Sequence, residues 1–150
     1  MKGFTIIEIL IFLAIMVIVI SIVFVSFTSL RKTQSLDNAV DNIVALINEA
    51  RSRTLASKDF SQYGVHFESS RAVLFKGTMF SEPSSDNSEF ALPAILEISG
   101  IALNGGGSDT VFQRITGKTD NFGTITLRIK SDTGTIKNIN IRLTGMIDAN

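Results

Sequence analysis

The first 27 residues, MKGFTIIEILIFLAIMVIVISIVFVSF (residues 1–27), decide the fold of this chain. Residues 9–27 are almost wholly apolar, and fifteen of them are Ile, Leu, Val or Phe. About 20 apolar residues are enough for a helix to cross a bilayer. An acidic residue such as Glu8 costs about 3 kcal/mol at the helix centre, whereas each strong apolar residue contributes roughly 0.3–0.6 kcal/mol to insertion. The stretch therefore predicts a helix that inserts into a membrane.

Several interpretations of this stretch compete. A secretory signal peptide has a shorter apolar core and a small-residue cleavage site, which residues 25–29 do not provide. A plain membrane anchor fits the apolar length equally well. Glu8 by itself is explained by a capping box, in which Thr5 caps the helix and Glu8 bonds back to the Thr5 amide. Ionisable groups at membrane depth are nevertheless usually paired and functional, which leaves a role in assembly open.

The segment Gly3-Phe4-Thr5-Ile6-Ile7-Glu8 resembles the processing motif of type IV pilins and type II secretion pseudopilins. The resemblance implies that a prepilin peptidase cuts between Gly3 and Phe4 and then N-methylates Phe4. It also implies that Glu8 pairs with the N-terminal amine of a neighbouring subunit in a filament. The partners it implies are the peptidase, other pilin or pseudopilin subunits in a helix bundle, and the inner-membrane assembly platform.

The resemblance implies four segments. Residues 1–3 are the leader, residues 4–30 the transmembrane half of a long helix, residues 31–58 its amphipathic half, and residues 59–150 a β-rich globular head. The helix is held by membrane lipid before assembly, as a single pass through the cytoplasmic (inner) membrane with the head outside. Flanking charges do not choose this orientation, because Lys2 lies at one end of the apolar run and Arg31 and Lys32 lie at the other.

The amphipathic half is predicted from the spacing of its apolar residues. These residues recur at steps of three and four, as on one face of a helix: Leu36, Val40, Ile43, Val44, Ile47 and Ala50. Residues 4–62 contain no proline or glycine, so one helix from Thr5 to about Ser57 is expected. Many family members have a kinking proline where this chain has Val25, which favours a straighter first half.

After residue 57 the apolar period changes to two, which predicts antiparallel strands and an α+β head with the helix packed on the sheet. The resemblance implies that this α+β arrangement is the pilin fold. Residues 63–67 and 71–76 form a hairpin, and residues 77–93 form a surface loop. Further strands are expected at 94–103 (broken), 111–115, 123–130 and 136–143, with a loop at 104–109 and a turn at 131–134. Ile136 is out of phase with Ile139, Ile141 and Leu143, so a bulge is expected near Lys137 and Asn138. The aromatics Phe60, Phe67, Phe75 and Phe112 are assigned to the core.

A second resemblance is to the helix end and first strand of H-type pseudopilins and related minor pilins. It rests on two segments, ARSRTL (residues 50–55) and YGVHF (residues 63–67). This resemblance implies two antiparallel sheets beside the helix. A solvated helix edge explains Arg51 and Arg53 equally well, because single charged residues are common on protein surfaces.

Composition and motifs do not predict an enzyme. The 150-residue chain has a formal net charge of zero and no cysteine, which excludes disulfides and thiol chemistry. His66, the sole histidine, is expected on the surface of a strand. The loop aspartates are expected to be turn formers, namely Asp109, Asp120 and Asp132. Calcium binding by one of them is an open alternative. No catalytic residue, metal site or cofactor is predicted.

The resemblance implies a structural subunit, and more specifically a minor one, of a type IV pilus-like filament or a type II secretion pseudopilus. Two alternatives remain: a minor pilin whose head binds DNA or a surface, and a single-pass membrane-anchored protein of another function. Lys130, Lys137 and Arg142 are candidates for a basic strip in the DNA-binding alternative. Adjacent acids and zero net charge do not favour nucleic acid as a partner.

Overall fold

The structure, a computed structural model, describes residues 3–150, except for the side chains of residues 23–28. Two of the predicted leader residues, Met1 and Lys2, therefore lie outside the described residues, and so do the side chains of residues 23–27 in the apolar run. The chain divides into two compact units, Met1–Gln34 and Ser35–Asn150.

The described residues form one long helix and eight strands. In chain order they are α1 (Ile6–Leu55), a single helical turn (Lys58–Phe60), β1 (Tyr63–Glu68), β2 (Arg71–Lys76), β3 (Ser88–Ala91), β4 (Leu96–Leu103), β5 (Asp109–Val111), β6 (Gly123–Ile129), β7 (Asp132–Ile141) and β8 (Ile147–Ala149). This is the α+β class that the sequence predicts, because every paired strand is antiparallel to its neighbour. Within the described part of the chain, no helix is sufficiently long and apolar to span a membrane.

Helix α1 ends two residues before the predicted limit. Ser57 has a φ of 48°, which is left-handed and incompatible with a continuing right-handed helix. Thr54 closes the last turns: its hydroxyl donates to the Ala50 carbonyl at 2.8 Å and accepts from the Tyr63 amide at 2.9 Å. The helix end is thereby joined to the first residue of β1.

The amphipathic stripe of α1 is buried as predicted. Leu36, Ile43, Ile47 and Ala50 are fully inaccessible, Val40 is buried, and Val44 is half-buried against the same core. Ala39 and Leu46 extend this face. Burying one such aliphatic side chain stabilises the folded state by about 1.5–3 kcal/mol. The stripe therefore fixes the second half of α1 to the sheets of its own unit.

The strands form two four-stranded sheets, ordered β3-β2-β1-β5 and β4-β6-β7-β8. The predicted hairpin is confirmed, with pairs from Tyr63 with Lys76 to Glu68 with Arg71. The predicted break in the fourth strand is also confirmed, as a register shift between Ile98 and Gly100. Two antiparallel sheets beside one helix are the arrangement that the resemblance to H-type pseudopilins implies.

Three predictions about the strands and their connections are wrong in detail, and one strand was missed. The segment 77–93 is not all loop, because residues 88–91 pair with β2 as β3. The strand predicted at 111–115 ends at Val111, since only Asp109–Val111 can pair with β1 before the chain turns away. The turn predicted at 131–134 is shorter, and β7 begins at Asp132. Strand β8 was not predicted at all, because three residues are too few to show a period.

The predicted bulge near Lys137 and Asn138 is also misplaced. Arg128 pairs with Ile136, but the next residue of β6, Ile129, pairs with Asp132. Residues 133–135 of β7 therefore have no partner in β6, and the register shift lies there. Ile136 is out of phase because it lies on the solvent-facing side of β7, where 49% of its surface is exposed. Leu143 follows the end of β7 and is exposed rather than continuing its buried face.

The core lies where α1 meets the inner faces of both sheets. The first sheet contributes residues such as Val65, Phe67 and Leu74, and the second contributes Ile125, Leu127 and Ile139. Phe112 belongs to this core as predicted. Phe75 is buried outside that cluster, on the outer face of the first sheet, where its ring lies over Gly64: a Cβ at Gly64 would be 2.7 Å from the Phe75 Cζ.

Phe60 contradicts its assignment to the core. Its side chain is 84% exposed, because it sits in a left-handed turn between α1 and β1 and not in a strand. The Phe60 φ is 54°. A period-two pattern assigns a side chain to a face only where the chain is extended, so no such pattern applies at Phe60.

Candidate functional site

The N-terminal segment brings two of the three predicted site residues, Phe4 and Glu8, to one groove. Phe4 and Glu8, with Ile9 and Phe12, line one open groove of about 450 Å³. Gly3 precedes this groove, and a Cβ added to Gly3 would meet open space. The Gly3–Phe4 junction is thus accessible, and it lies next to the carboxylate that the sequence singles out.

Thr5 caps α1, which is the threonine half of the predicted capping box. The Glu8 amide donates to Thr5 Oγ1 at 3.3 Å and to the Thr5 carbonyl at 3.2 Å. The threonine hydroxyl thereby satisfies one of the four amides that a helix start leaves without an intrahelical partner. Glu8 lies in the first turn, where the helix dipole favours a negative charge.

The segment that follows is apolar on every side. All fifteen large apolar side chains of residues 4–22 are exposed, at 46–81% of their surface. The hydroxyl of Ser21 donates to the Val17 carbonyl at 2.8 Å, so it presents no free donor to the surroundings. A helix that is apolar all round requires a protein core or a lipid environment around it. The exposed apolar side chains of this segment are therefore suited to contact with lipid or with other apolar helices.

The outer face of the first sheet carries a second cluster, around His66. The prediction of a surface strand residue is only partly right, because the loop before β3 covers the imidazole and only 19% of its side chain is exposed. Phe80 from this loop stacks on the ring, with centroids 4.0 Å apart, and packs edge-on against Phe75 at 5.7 Å. His66 Nδ1 bonds to the Asp109 carboxylate, and Nε2 lies 3.6 Å from Glu68. These contacts attach the loop and β5 to β1.

The loop aspartates have local roles. Asp109 lies in β5 and binds His66, so its assignment to a loop is wrong. Asp132 accepts from the Gly134 amide at 3.2 Å and from the Thr135 hydroxyl at 2.6 Å, as a turn former does. Asp120 accepts from Gln113 Nε2 at 2.9 Å. Among residues 3–150, no group of three or more histidine or acidic side chains is placed to hold a metal ion.

Arg71 is the centre of an ionic cluster that the sequence did not reveal. Its guanidinium donates to Glu68 at 2.8 and 2.9 Å, to Glu82 at 2.9 and 3.0 Å, and to Glu89 at 3.1 Å. The hydrogen bond from Arg71 lowers the pKa of Glu68, and the three carboxylates raise the pKa of Arg71. Glu82 and Glu89 come from the segment predicted as a loop, which gave no signal for this pairing.

The helix end holds a smaller polar cluster. The buried Tyr63 hydroxyl donates to the Asp59 carboxylate at 2.9 Å. Burial raises the pKa of Tyr63, and the hydrogen bond from Tyr63 lowers the pKa of Asp59. Arg51 is not a merely solvated edge residue, because its Nε donates to the Gly117 carbonyl at 3.1 Å. Arg53 pairs with Glu49 and lies 5.8 Å from the centroid of the Tyr63 ring.

Two of the three cations in the candidate basic strip are paired with acids, and the third is bonded to a backbone carbonyl. Lys137 lies 3.4 Å from Asp37, and Arg142 lies 2.6 Å from Asp148. Lys130 donates to the Ala94 carbonyl at 2.9 Å. A phosphate-binding surface needs cations whose charge is available to the nucleic acid. The geometry at these three positions therefore gives no support to a DNA-binding head.

Three solved structures resemble this chain. Two are crystal forms of the type IV minor pilin FimU of Pseudomonas aeruginosa, at 13% identity, with TM-scores of 0.58 and 0.59. They cover 77% and 79% of this chain and 92% and 90% of theirs. The third is the minor pseudopilin EpsH of the Type 2 Secretion System of Vibrio cholerae, at 8% identity and a TM-score of 0.54, covering 77% of this chain and 96% of that one. No family model and no curated protein sequence matches this chain.

The similarity establishes the fold. The chain has the α+β architecture of a minor pilin and a minor pseudopilin, with one helix beside antiparallel sheets. The predicted pilin fold is thus confirmed for the greater part of the chain.

Proposed function

We propose that this chain is a structural subunit of a type IV pilus-like filament or a type II secretion pseudopilus. One observation carries the proposal: a pilin-fold head follows a helical segment whose apolar side chains are exposed on every side. A bundle of like helices would cover that surface, and the heads would then face outward. The function is assembly rather than catalysis, and whether the subunit is a minor one stays a prediction.

Processing precedes assembly in this proposal. Residues 1–3 are a leader, and a prepilin peptidase cuts between Gly3 and Phe4 and methylates the new amine of Phe4. The open surroundings of Gly3 and the exposure of Phe4 support access by such an enzyme. Before assembly, residues 4–30 lie in the cytoplasmic (inner) membrane with the head outside, and an assembly platform in that membrane draws the helix into the filament.

Glu8 supplies the contact between subunits. A carboxylate and an ammonium that are buried without partners would each lose much solvation free energy, so pairing between chains is favoured in an apolar bundle. Phe4 and Glu8 line the same groove of one chain, and this closeness of the processed end to the carboxylate supports the proposal. We therefore assign Glu8 to filament assembly, in addition to its place in the capped first turn.

The processing step is tested by intact mass. Co-production of the chain with a prepilin peptidase is expected to give a product that begins at Phe4, with the added mass of one methyl group. A Gly3→Leu variant is the matched control and is expected to keep residues 1–3. An uncut product, or a cut after residue 27, would remove the pilin proposal and leave a membrane anchor or a signal peptide respectively.

A further inference from the structure

The head carries an exposed apolar surface at the end where α1 stops. Five large apolar side chains from four segments share it, and we call it the apolar rim: Leu55, Phe60, Ile115, Leu143 and Met146. Arg114 donates to the Phe60 carbonyl at 3.0 Å, and the Thr119 amide donates to the Leu143 carbonyl at 3.1 Å. These bonds hold the segments side by side, so the rim is one continuous surface.

Two rim residues stand out by exposure and by backbone conformation. Phe60 is 84% exposed and Ile115 is 88% exposed, with φ angles of 54° and 72°. A β-branched residue at positive φ is a conformational outlier, and such strain is often retained at binding sites. Both large side chains therefore project from strained turns, with no protein packed over most of their surface.

The rim has a basic margin. Arg51 and Arg114 use their guanidinium groups to bind the uncharged carbonyls of Gly117 and Phe60, so these bonds do not neutralise them. Lys58 and Lys118 are exposed in the same two turns. The nearby carboxylate of Asp59 is already engaged by Tyr63 and Lys76. The surface is thus apolar at its centre and positively charged around it.

The complementary features lie at the other end of the same hairpin. An open groove of about 510 Å³ is lined by Val73, Glu82, Pro83, Ser84, Asn87 and Glu89. Two of these residues, Glu82 and Glu89, share the single guanidinium of Arg71 with Glu68. Three carboxylates against one guanidinium leave an excess of two negative charges. The groove is therefore concave, acidic and partly apolar.

The positions of the two surfaces follow from strand register. Phe60 comes just before the start of β1 at Tyr63, whereas Arg71 pairs with Glu68 at the far end of β1. Ile115 follows β5, whose end pairs with the start of β1. At about 3.3 Å per residue, β1 separates the two ends by roughly 17 Å. The rim and the groove thus lie at opposite ends of β1.

From this arrangement we infer that the heads of two copies of this chain associate head to tail, with the apolar rim of one copy seated in the acidic groove of the next. Phe60 and Ile115 enter the groove, and Arg114 and Lys58 approach Glu82 and Glu89. The contact uses two different patches, so it is heterologous and can repeat along a filament. A lipid surface would also suit the rim, but the groove with matching charge on the same molecule favours a second copy.

This inference deepens the proposed filament function and rests on it. The chain has no cysteine, so two engineered thiols report the contact without background. Full-length Thr116→Cys chains and Ser84→Cys chains with different tags are produced together, and a short bis-maleimide is added to membranes and to sheared filaments. The expected product is a mixed-tag dimer, reduced at least ten-fold when Thr116→Cys chains also carry Phe60→Ser and Ile115→Ser. Ile136→Ser, on the other sheet, is the control and should have no effect.

A charge exchange tests the register of the contact. Arg114→Glu in the Thr116→Cys chains should lower the mixed dimer, and Glu89→Lys in the Ser84→Cys chains should restore it. Same-tag Thr116→Cys dimers alone would indicate a two-fold contact between rims and overturn the inference. Absence of dimers, with Thr116→Cys shielded from a soluble maleimide by lipid, would assign the rim to a membrane surface and also overturn it.

The two proposals can fail separately. Chains that enter filaments without giving any mixed dimer would overturn the head-to-tail contact and leave the filament function intact. Mixed dimers from chains that never leave the membrane would support the contact and remove the filament function.

Discussion

At the scale of single residues, the first-turn position of Glu8 and its proposed role in assembly can be separated. Its amide takes part in the Thr5 cap, with 3.3 Å between N and Oγ1, and this role needs no charge on the side chain. Its carboxylate lines the groove that Phe4 also lines. Capping is a property of one chain, whereas the proposed pairing of the carboxylate is with the amine of a neighbouring chain. The charge of Glu8 is therefore the feature that distinguishes the two roles.

We expect Glu8→Gln to be inserted in the membrane and cut after Gly3, but to enter filaments poorly. The glutamine keeps the shape and the capping geometry and removes the charge that would pair with the neighbouring amine. The measurement is the amount of variant in sheared filament fractions relative to the membrane. Thr5→Val is the matched control: it costs the helix start about 1 kcal/mol and keeps the Glu8 charge, so incorporation should persist. Normal entry of Glu8→Gln would reduce Glu8 to a helix cap.

At the scale of elements, the second part of α1 and the loop before β3 pack on opposite faces of the first sheet. The stripe of α1 packs on the inner faces of both sheets and belongs to the main core. The loop instead covers the outer face of the first sheet, where Phe80 meets His66 and Phe75. Ile43 lies at the middle of the stripe and is fully inaccessible, so it is the most direct probe of helix docking.

We expect Ile43→Asp to lower the free energy of unfolding by on the order of 3 kcal/mol or more, because it places a carboxylate without a partner in an apolar core. Ala45→Asp introduces the same group two residues away on the exposed face and is the matched control. Its effect should stay near the helix-propensity difference, about 0.7 kcal/mol. The measurement is thermal and denaturant unfolding of the two variants. Equal melting temperatures would show that the stripe is not docked on the sheets.

At the scale of the whole molecule, the head is held by packing and by a few shared polar clusters. The chain has no cysteine, so no disulfide contributes. Twenty-one buried apolar residues from α1 and both sheets form one core cluster. The Arg71 cluster joins β1, β2, β3 and the covering loop, and the bond between Tyr63 and Asp59 joins β1 to the turn after α1. These polar clusters make the stability of the head depend on pH.

We expect the melting temperature to fall as the pH is lowered below about 4.3, the ordinary pKa of a glutamate. The folded state lowers the pKa of Glu68 through Arg71 and that of Asp59 through Tyr63. A lowered pKa contributes stability above the unfolded-state pKa, and this contribution is lost as the pH falls through the folded-state value. Glu68→Gln should flatten the acid side of a melting-temperature profile. An unchanged slope would show that the Arg71 cluster does not stabilise the fold.

The sequence by itself determined the features that depend on local order along the chain. The apolar period of α1, the hairpin of β1 and β2, the alternation in β6 and the Thr5 cap were all readable, because neighbours three, four or two residues apart decide which face is buried. The pilin fold followed from the order of these elements together with the resemblance at residues 3–8. The roles of Gly3, Phe4 and Glu8 stay predictions.

Only the tertiary structure decided which distant residues meet. Glu82 and Glu89 converge on Arg71, Asp109 reaches His66, and Phe60 is exposed, although no local pattern marks any of these outcomes. The misplaced strands β3, β5 and β8 are three or four residues long, so their pairing comes from neighbouring strands and not from their own period. The physical reason is the same throughout: contacts between distant residues depend on register and loop path, which the packed molecule fixes and local sequence does not.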